Sequence, residues 1–113
     1  MPAYRIDYVE LPVPETAAAR IFYESAFGWS LTDFAPTYSA TTGGDVDIGL
    51  QADPTQRPCA PLPIVRAANL ESALAAVKAA GGIITRPIFD FPGGRRCHFS
   101  DPGGNELAVW QPA

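Results

Sequence analysis

Hydrophobic positions in the first half of the chain change from a strand-like spacing to a helix-like spacing and back. The segment YRIDYVELPV (Tyr4–Val13) has the texture of a β-strand, and Pro12 marks its end or an edge position. A helix is predicted in ETAAARIFYESAF, with Arg20 and Glu24 on its polar side and Gly28 as its C-terminal stop. Phe27 and Trp29 are expected to pack its last turn onto the sheet. The apolar side of this helix consists of Ala18, Ile21, Phe22 and Ser25.

Three short runs follow the helix, WSLTDF, TYSAT and DVDIGLQ. Ala35-Pro36 separates the first two, and Thr42-Gly43-Gly44, a strong hairpin signal, separates the last two. These runs predict a meander of three antiparallel strands.

The second half of the chain repeats this order. A strand is predicted over about Leu62–Ala67, and a helix over NLESALAAVKAAGG, where Asn69 can cap the N-terminus. Leu70, Leu74 and Val77 form one apolar face of that helix. The strands IITRPIF, GRRCHFS and NELAVWQ follow, joined by turns at FPGG and DPGG. The pattern β-α-β-β-β therefore occurs twice.

The predicted fold is α+β, with two βαβββ modules forming curved mixed sheets around a cavity. One domain is expected over residues 1–113, because a chain of 113 residues buries one core but not two. Module one covers about 1–52 and module two about 62–113. The segment between them, 53–61, reads DPTQRPCAP and is predicted to be a linker because it carries three prolines and no periodicity.

Charge and composition narrow the classes of partner and compartment. The net charge is −4 and the basic residues form no stripe, which argues against nucleic acid as a partner. No apolar run reaches membrane-spanning length and the N-terminus does not resemble a signal peptide, so a cytoplasmic protein is expected. Cys59 and Cys97 are far apart and lack metal-binding spacing; two reduced thiols are favoured, and a disulfide stays open.

Three segments carry a resemblance to a known family: LPVPETAAARIFYESAFGW, NLESALAAVKAAGGIITRP and CHFSDPGGNELAVWQ. In this order they look like the opening, middle and closing segments of the vicinal oxygen chelate superfamily, which comprises glyoxalases, bleomycin-resistance proteins and extradiol dioxygenases. The closest resemblance is to the glyoxalase-like branch. It covers about two-thirds of the chain and implies the duplicated fold and a ligand-holding cavity.

Metal-dependent members of that superfamily coordinate a divalent ion through side chains on four strands, usually His, Glu or Gln. The resemblance places these positions at Tyr8, near Ile48 to Leu50, at Leu62 and at Ala108. None of them is a histidine or a carboxylate, and leucine and alanine cannot coordinate metal. No metal or other cofactor is therefore expected.

Strand periodicity predicts which side chains line the cavity. Tyr8 and Glu10 share a face of the first strand, and Glu106, Ala108 and Trp110 share a face of the last. A pocket of this kind suits a flat aromatic or cationic ligand, with Leu62 and Arg66 as further ligand-binding candidates. The aromatic residues are equally compatible with a structural core role. Glu10 is a candidate acid or base, and the alternative is that it lies at a solvent-filled cavity mouth or pairs with an arginine such as Arg66 or Arg96.

His98 is the second candidate catalytic group, since it titrates near neutrality, although a packed structural histidine is the commoner case. Arg95 and Arg96 face opposite sides of their strand, so only one can reach the pocket. The glycine pairs in FPGGRR and DPGGNE precede no helix and are interpreted as hairpin turns, not phosphate loops.

Three functional hypotheses follow. The first is a metal-free binder of a small organic molecule, with a pocket completed in a homodimer. The second is a lyase, isomerase or epimerase that uses Glu10 or His98 as proton carrier. The third is a metal-dependent glyoxalase or dioxygenase with an atypical ligand set, for instance Glu10, His98 and Glu106.

Overall fold

The computed structural model describes residues 4–113, and these form eight strands and two helices. Their order, βαβββ twice, confirms the predicted α+β fold. The first module contains β1 (Arg5–Pro12), α1 (Thr16–Phe27), β2 (Thr32–Ala35), β3 (Tyr38–Ala40) and β4 (Asp47–Gln51). The second contains β5 (Leu62–Arg66), α2 (Leu70–Ala79), β6 (Ile83–Phe91), β7 (Gly94–Ser100) and β8 (Glu106–Pro112). Neither helix in the described part of the chain is long and apolar enough to cross a membrane.

The chain divides into two compact units. The N-terminal unit is Tyr8–Leu62, and the C-terminal unit consists of the described residues up to Asp7 together with Pro63–Ala113. The beginning of β1 thus belongs to the unit that the second half of the chain otherwise builds. The organisation as one domain over 1–113 stays a prediction.

The strands of the N-terminal unit follow the order β2-β3-β4-β1. β1 runs parallel to β4, with Glu10 opposite Gly49, and β3 pairs antiparallel with both β4 and β2. The predicted antiparallel meander is confirmed. Because paired residues on neighbouring strands project to one face, the register determines which side chains meet Tyr8 and Glu10.

The exposed side of α1 differs from what the sequence pattern suggested. Ile21 and Phe22 are 64% and 59% exposed. The polar side of the helix, with Arg20 and Glu24, contacts the segment that leads into β2 and the start of β2. There Arg20 pairs with Asp33 at 2.8 Å, and Glu24 accepts a hydrogen bond from the backbone N–H of Leu31.

The expectation that Phe27 and Trp29 pack the end of α1 onto the sheet is also wrong. Both side chains are exposed, and they stack with Tyr23 and with each other at ring-centroid distances between 5.1 and 6.4 Å. Gly28 ends the helix, as predicted, and it adopts the left-handed conformation.

The C-terminal unit follows the order β5-β8-β7-β6, with β5 parallel to β8 and both hairpins antiparallel. Helix α2 packs on one face of this sheet. Asn69 caps it by accepting the backbone N–H of Ser72, as predicted. The core between helix and sheet consists of Ala67, Leu70, Ala73, Cys97 and Val109, flanked by Val65, Leu74, Ile88 and Phe99.

Both cysteines are free thiols. Cys59 is exposed in the segment between β4 and β5, and Cys97 is buried against α2. Burial raises the pKa of the Cys97 thiol, so this side chain acts as a small apolar core residue.

Candidate functional site

The face of the C-terminal sheet that lies away from α2 carries most of the predicted site residues. The register aligns Ile64, Ala108 and His98 in one row across β5, β8 and β7. The next row along the strands contains Arg66, Trp110 and Arg96. The intervening residues Cys97 and Val109 point to the α2 side, so strand alternation separates a helix-covered core face from a face that carries charged and aromatic side chains.

Arg95, the neighbour of Arg96 on β7, lies on the face that α2 covers. Its guanidinium makes two hydrogen bonds to Glu71 on α2, at 2.7 and 3.0 Å, while Arg96 lies on the opposite face. These bonds lower the pKa of the Glu71 carboxyl to about 2. The register thus places Arg95 and Arg96 on opposite faces of β7, and whether Arg96 reaches a ligand stays a prediction.

Irregular pairing in β6 adds two side chains to the sheet face that lies away from α2. Arg86 pairs with His98 and Phe89 pairs with Arg96, because the register shifts by one residue between Ile84 and Arg86 and by one more between Arg86 and Phe89. Without the shift between Arg86 and Phe89, these two side chains would point to opposite faces. With it, the Arg86 guanidinium lies 3.5 Å from the centroid of the Phe89 ring, and Arg96 lies 5.3 Å from the same ring.

His98 lies in the centre of this face and its side chain is almost fully buried, with 7% of the residue exposed. Its Nδ1 is 3.5 Å from Oε2 of Glu106, and the same carboxylate oxygen accepts a hydrogen bond of 2.9 Å from the hydroxyl of Thr85. Its Nε2 is buried and has no hydrogen-bond partner among residues 4–113.

Burial is the main cause that lowers the pKa of His98 below its ordinary value of 6.5, and the positive charges of Arg96 and Arg86 act in the same direction. Glu106 opposes them by favouring the charged imidazolium. The net lowering keeps the imidazole neutral at pH 7.

This lowered pKa predicts a pH-dependent stability. His98 binds a proton more readily in the unfolded chain than in the folded one. The contribution of neutral His98 to stability is therefore fully present above pH 6.5 and is lost as the pH falls from 6.5 through the folded-state pKa. Urea unfolding measures the free energy of unfolding at about pH 7.5 and about pH 5.5. The decrease of this free energy between the two pH values should be larger for the wild type than for His98→Gln, which cannot titrate. Equal decreases in the two proteins would contradict the assigned direction.

Trp110 is held in a fixed orientation on the same face. Its Nε1 donates to Oδ1 of Asp7 at 2.9 Å, and Oδ2 of Asp7 lies 3.7 Å from the Arg66 guanidinium. Arg66 on β5 also lies 5.4 Å from the centroid of the Trp110 ring, and the ring of Phe91 on β6 lies 6.2 Å from it. Arg66, one of the two arginines considered as a partner of Glu10, therefore has an acidic neighbour in Asp7.

The N-terminal unit carries a separate polar group around Glu10, which is 1% exposed. The Tyr38 hydroxyl donates to Oε1 of Glu10 at 3.3 Å, and the hydroxyls of Tyr8 and Tyr38 share a hydrogen bond. Both hydroxyls lie directly over Gly49, in the space that a Cβ at this position would occupy. A glycine is therefore required there for the two tyrosines to meet.

The family resemblance implies four metal-ligand positions, and the strand register specifies the one on β4. On β4, Gly49 is the residue that shares a face with Glu10. The four positions are thus Tyr8, Gly49, Leu62 and Ala108, of which only the first has a side chain with a lone-pair donor. In the described part of the chain, no group of three or more His, Cys, Asp or Glu could hold a metal ion. The side chains at the four implied positions therefore do not fit a divalent ion, and the expectation that the protein has no metal stays a prediction.

The predicted site residues fall into two sets. Tyr8 and Glu10 come together in the N-terminal unit, where Leu62 is a fully buried residue of β5. The other set lies on one face of the C-terminal unit and consists of Arg66, His98, Glu106, Ala108 and Trp110. Their roles in catalysis or ligand binding stay predictions, as do the homodimer and the cytoplasmic location.

Several site residues were missed by the sequence interpretation: Asp7, Tyr38, Thr85, Arg86 and Phe89. Pro87 inside the predicted strand IITRPIF was a usable signal for the bulge, because proline within a sheet is confined to edges and bulges. The contacts of Tyr38 and Asp7 are long-range, and no local pattern in the sequence indicates them.

With this geometry established, comparison with known proteins decides the family. A model of the Glyoxalase/Bleomycin resistance protein/Dioxygenase superfamily matches residues 5–109. The chain belongs to this superfamily. The vicinal oxygen chelate assignment made from three sequence segments is thereby confirmed.

Among relatives in this superfamily, CFP32 of Mycobacterium tuberculosis (strain CDC 1551 / Oshkosh), which is named as a candidate glyoxylase, is 28% identical over 116 residues. The match covers 93% of this chain and 44% of CFP32, so the chain spans less than half the length of the curated relatives it matches.

Two solved structures of superfamily type have the same fold. Methylmalonyl-CoA epimerase from M. tuberculosis superposes with a TM-score of 0.73 at 16% identity, over 96% of this chain and 87% of the epimerase. The Mn(II)-bound glyoxalase from Novosphingobium aromaticivorans gives 0.69 at 19% identity, over 94% of this chain and 38% of the glyoxalase. At these identities the likeness shows the fold alone.

Proposed function

We propose that this protein binds a small planar organic molecule without a metal ion. The observation that carries the proposal is the face of the C-terminal sheet opposite α2, where a Trp110 ring of fixed orientation lies among charged groups. Small-molecule sites combine apolar surface with a few placed polar groups, and this face has that character.

Preorganisation of the tryptophan supports the proposal. The hydrogen bond from Nε1 to Asp7 and the neighbouring Arg66 hold the ring before any ligand arrives. A ligand that stacks on a ring already held in place loses less rotational freedom of the protein on binding, which increases affinity. Planar ligands stack most effectively, and the guanidinium and carboxylate beside the ring offer a hydrogen-bond donor and an acceptor.

Independence from metal is supported by the donor set. Gly49, Leu62 and Ala108 present no coordinating atoms, and the Tyr8 hydroxyl is already engaged with Tyr38. Binding is therefore expected to use aromatic surface, guanidinium groups and carboxylates of the chain itself.

Thermal shift of metal-free protein against small aromatic, cationic and 2-oxo acid compounds tests the proposal. A ligand at about 100 times its Kd stabilises the folded state by about 2.7 kcal/mol and raises Tm. We expect Trp110→Leu to weaken the affinity of a stabilising compound by about tenfold or more, because the stacking surface is lost. Trp29→Leu is the matched control, since Trp29 lies just after the end of α1, in the other unit.

Three outcomes would overturn the proposal. One is that nickel, zinc or manganese ions stabilise the protein while organic compounds do so only in their presence. A second is that no compound shifts Tm, and the third is that both tryptophan variants keep wild-type affinity.

A further inference from the structure

We propose that two copies of this chain associate through the exposed side of α1, in a two-fold contact centred on Ile21 and Phe22. The dimer expected from the sequence completes a ligand pocket, whereas this contact involves residues of the N-terminal unit alone and needs no ligand. It goes beyond the proposed function, which uses a face of the C-terminal unit. The exposed side of α1 is called the α1 face below and consists of Ala17, Ala18, Ile21, Phe22, Ser25 and Ala26.

Helix α1 buries none of its residues, whereas α2 buries Leu70 and Ala73 in the core of the C-terminal unit. The two largest side chains of the α1 face, Ile21 and Phe22, are 64% and 59% exposed. Helices in globular proteins gain most of their stability by packing an apolar side against other elements. The α1 face is therefore an apolar packing surface that nothing in the N-terminal unit covers.

The charged residues of α1 lie on its other side and are paired there. Arg20 forms ion pairs with Glu24 at 3.2 Å and with Asp33 at 2.8 Å. The α1 face itself carries no ionised side chain. Each copy of the chain has a net charge of −4, so two copies approach most readily through surfaces on which no like charges meet. An uncharged face also lacks the charge pattern that selects a partner of opposite sign.

The order of small and large residues on the α1 face suits a two-fold contact. The small pair Ala17-Ala18 is followed four residues later by the large pair Ile21-Phe22, and four residues after that by the small pair Ser25-Ala26. The pattern is the same in both directions along the helix. A two-fold dimer uses the same patch on both copies, so each patch must fit a second copy of itself. The α1 face meets this requirement.

The spacing of four residues also suits the packing of one helix on another. In the commonest class of helix crossing, at about −50°, rows of side chains four residues apart fit into the grooves between such rows on the second helix. The α1 face has two of these rows, one with Ile21 and one with Phe22 at its centre. Because the residues one turn before and after are small, the groove between the rows has space for the Phe22 ring of the second copy.

The exposed apolar area is large enough for the centre of a stable dimer interface. Phe27 and Trp29 extend the α1 face, since their rings stack with Tyr23, whose ring also contacts Phe22. With about 200 Å² for a large apolar residue, the exposed fractions of Ile21, Phe22, Phe27 and Trp29 amount to about 400 Å² on each copy. Contiguous apolar patches of this size mark interaction sites. Two copies contribute about 800 Å², roughly half of a standard interface of about 1,600 Å², and the small residues and the polar rim supply the remainder.

The test is the molar mass of the protein by light scattering and sedimentation velocity over a wide range of protein concentration. The wild type is expected to form a dimer. Phe22→Asp is expected to raise the Kd of this dimer by a factor on the order of 10² or more, because the contact loses its central ring and gains a charge in both copies. Phe34→Asp is the matched control: Phe34 is also 59% exposed, lies on β2 of the same unit, and should keep the wild-type Kd when replaced.

Ala18→Arg is a second variant in case Phe22→Asp does not fold. Ala18 is exposed, so the monomer accommodates a longer side chain at this position, whereas the groove between two helices does not. This variant is also expected to weaken the dimer. Circular dichroism and the melting curve of each variant report whether it is folded.

The inference fails if the wild type has the mass of a monomer at its highest soluble concentration. It fails equally if folded Phe22→Asp and Ala18→Arg dimerise as tightly as the wild type, because the contact then lies elsewhere on the chain. A third contrary result is monomeric wild type that binds vesicles of phosphatidylcholine while Phe22→Asp does not, which would assign the α1 face to a lipid surface.

Discussion

Replacing Leu70 by alanine is expected to lower the free energy of unfolding by about 2–5 kcal/mol, the largest single effect among the substitutions considered. Leu70 is fully buried at the start of α2 and belongs to the core with Ala67, Ala73, Cys97 and Val109. Truncation removes apolar contacts and leaves a cavity that the surrounding strands fill only in part. Urea unfolding followed by circular dichroism measures the change.

Ile83→Ala is the matched control for this substitution, because it removes an aliphatic side chain of equal size from the same unit. Ile83 is 68% exposed, so its truncation should cost less than about 1 kcal/mol. A cost for Leu70→Ala no larger than that of Ile83→Ala would show that the core between α2 and the sheet is not packed as described.

Gly94→Ala is expected to destabilise the C-terminal unit by about 1–3 kcal/mol, for a different reason. Gly94 opens β7 opposite Pro112 of β8, and a Cβ here would overlap the backbone oxygen of Gln111 and approach the Cα of Pro112 to 3.0 Å. Backbone atoms of a paired strand cannot move aside as a side-chain end can. The strands must separate at this point, which weakens their hydrogen bonds.

Gly93→Ala provides the comparison, since the Cβ at that neighbouring position meets the edge of the Phe91 ring, 2.9 Å away, which can rotate. Hydrogen exchange of the β7 and β8 amides should therefore accelerate in Gly94→Ala and change little in Gly93→Ala. Similar exchange rates in both variants would argue against the close approach of β7 and β8 at Gly94.

The order of elements was predictable because the chain marks its boundaries with strong local signals. Asn69 caps α2, Gly28 ends α1, and the FPGG and DPGG turns separate β6, β7 and β8. Each of these signals acts over a few residues, so it can be interpreted without knowledge of distant contacts.

The packing of α1 could not be predicted in the same way. Its apolar residues Ile21 and Phe22 have the spacing of a buried stripe, yet they are exposed, and it is Arg20 and Glu24 on the polar side that contact the following segment. The partners of those two residues, Asp33 and the backbone of Leu31, lie in the following segment. Periodicity describes which residues share a side and does not state which side is buried.

The candidate site was predictable in part. Strand alternation placed Glu106, Ala108 and Trp110 on one face, and the structure agrees. The irregular pairing that adds Arg86 and Phe89 depends on two one-residue shifts in β6, and the Nε1 contact between Trp110 and Asp7 joins residues 103 positions apart. Features of this kind arise from tertiary packing, which a local pattern does not encode.

The tyrosine pair over Gly49 has a consequence for any attempt to redesign this protein as a metalloenzyme. A glutamate or histidine introduced at Gly49 would need the space that the hydroxyls of Tyr8 and Tyr38 occupy, and would release Tyr38 from Glu10. Coordinating atoms would also be required in place of Leu62 and Ala108, both of which are fully buried. No single substitution gains a ligand without first disrupting a hydrogen bond or the core, so a route to metal binding must pass through several less stable intermediates.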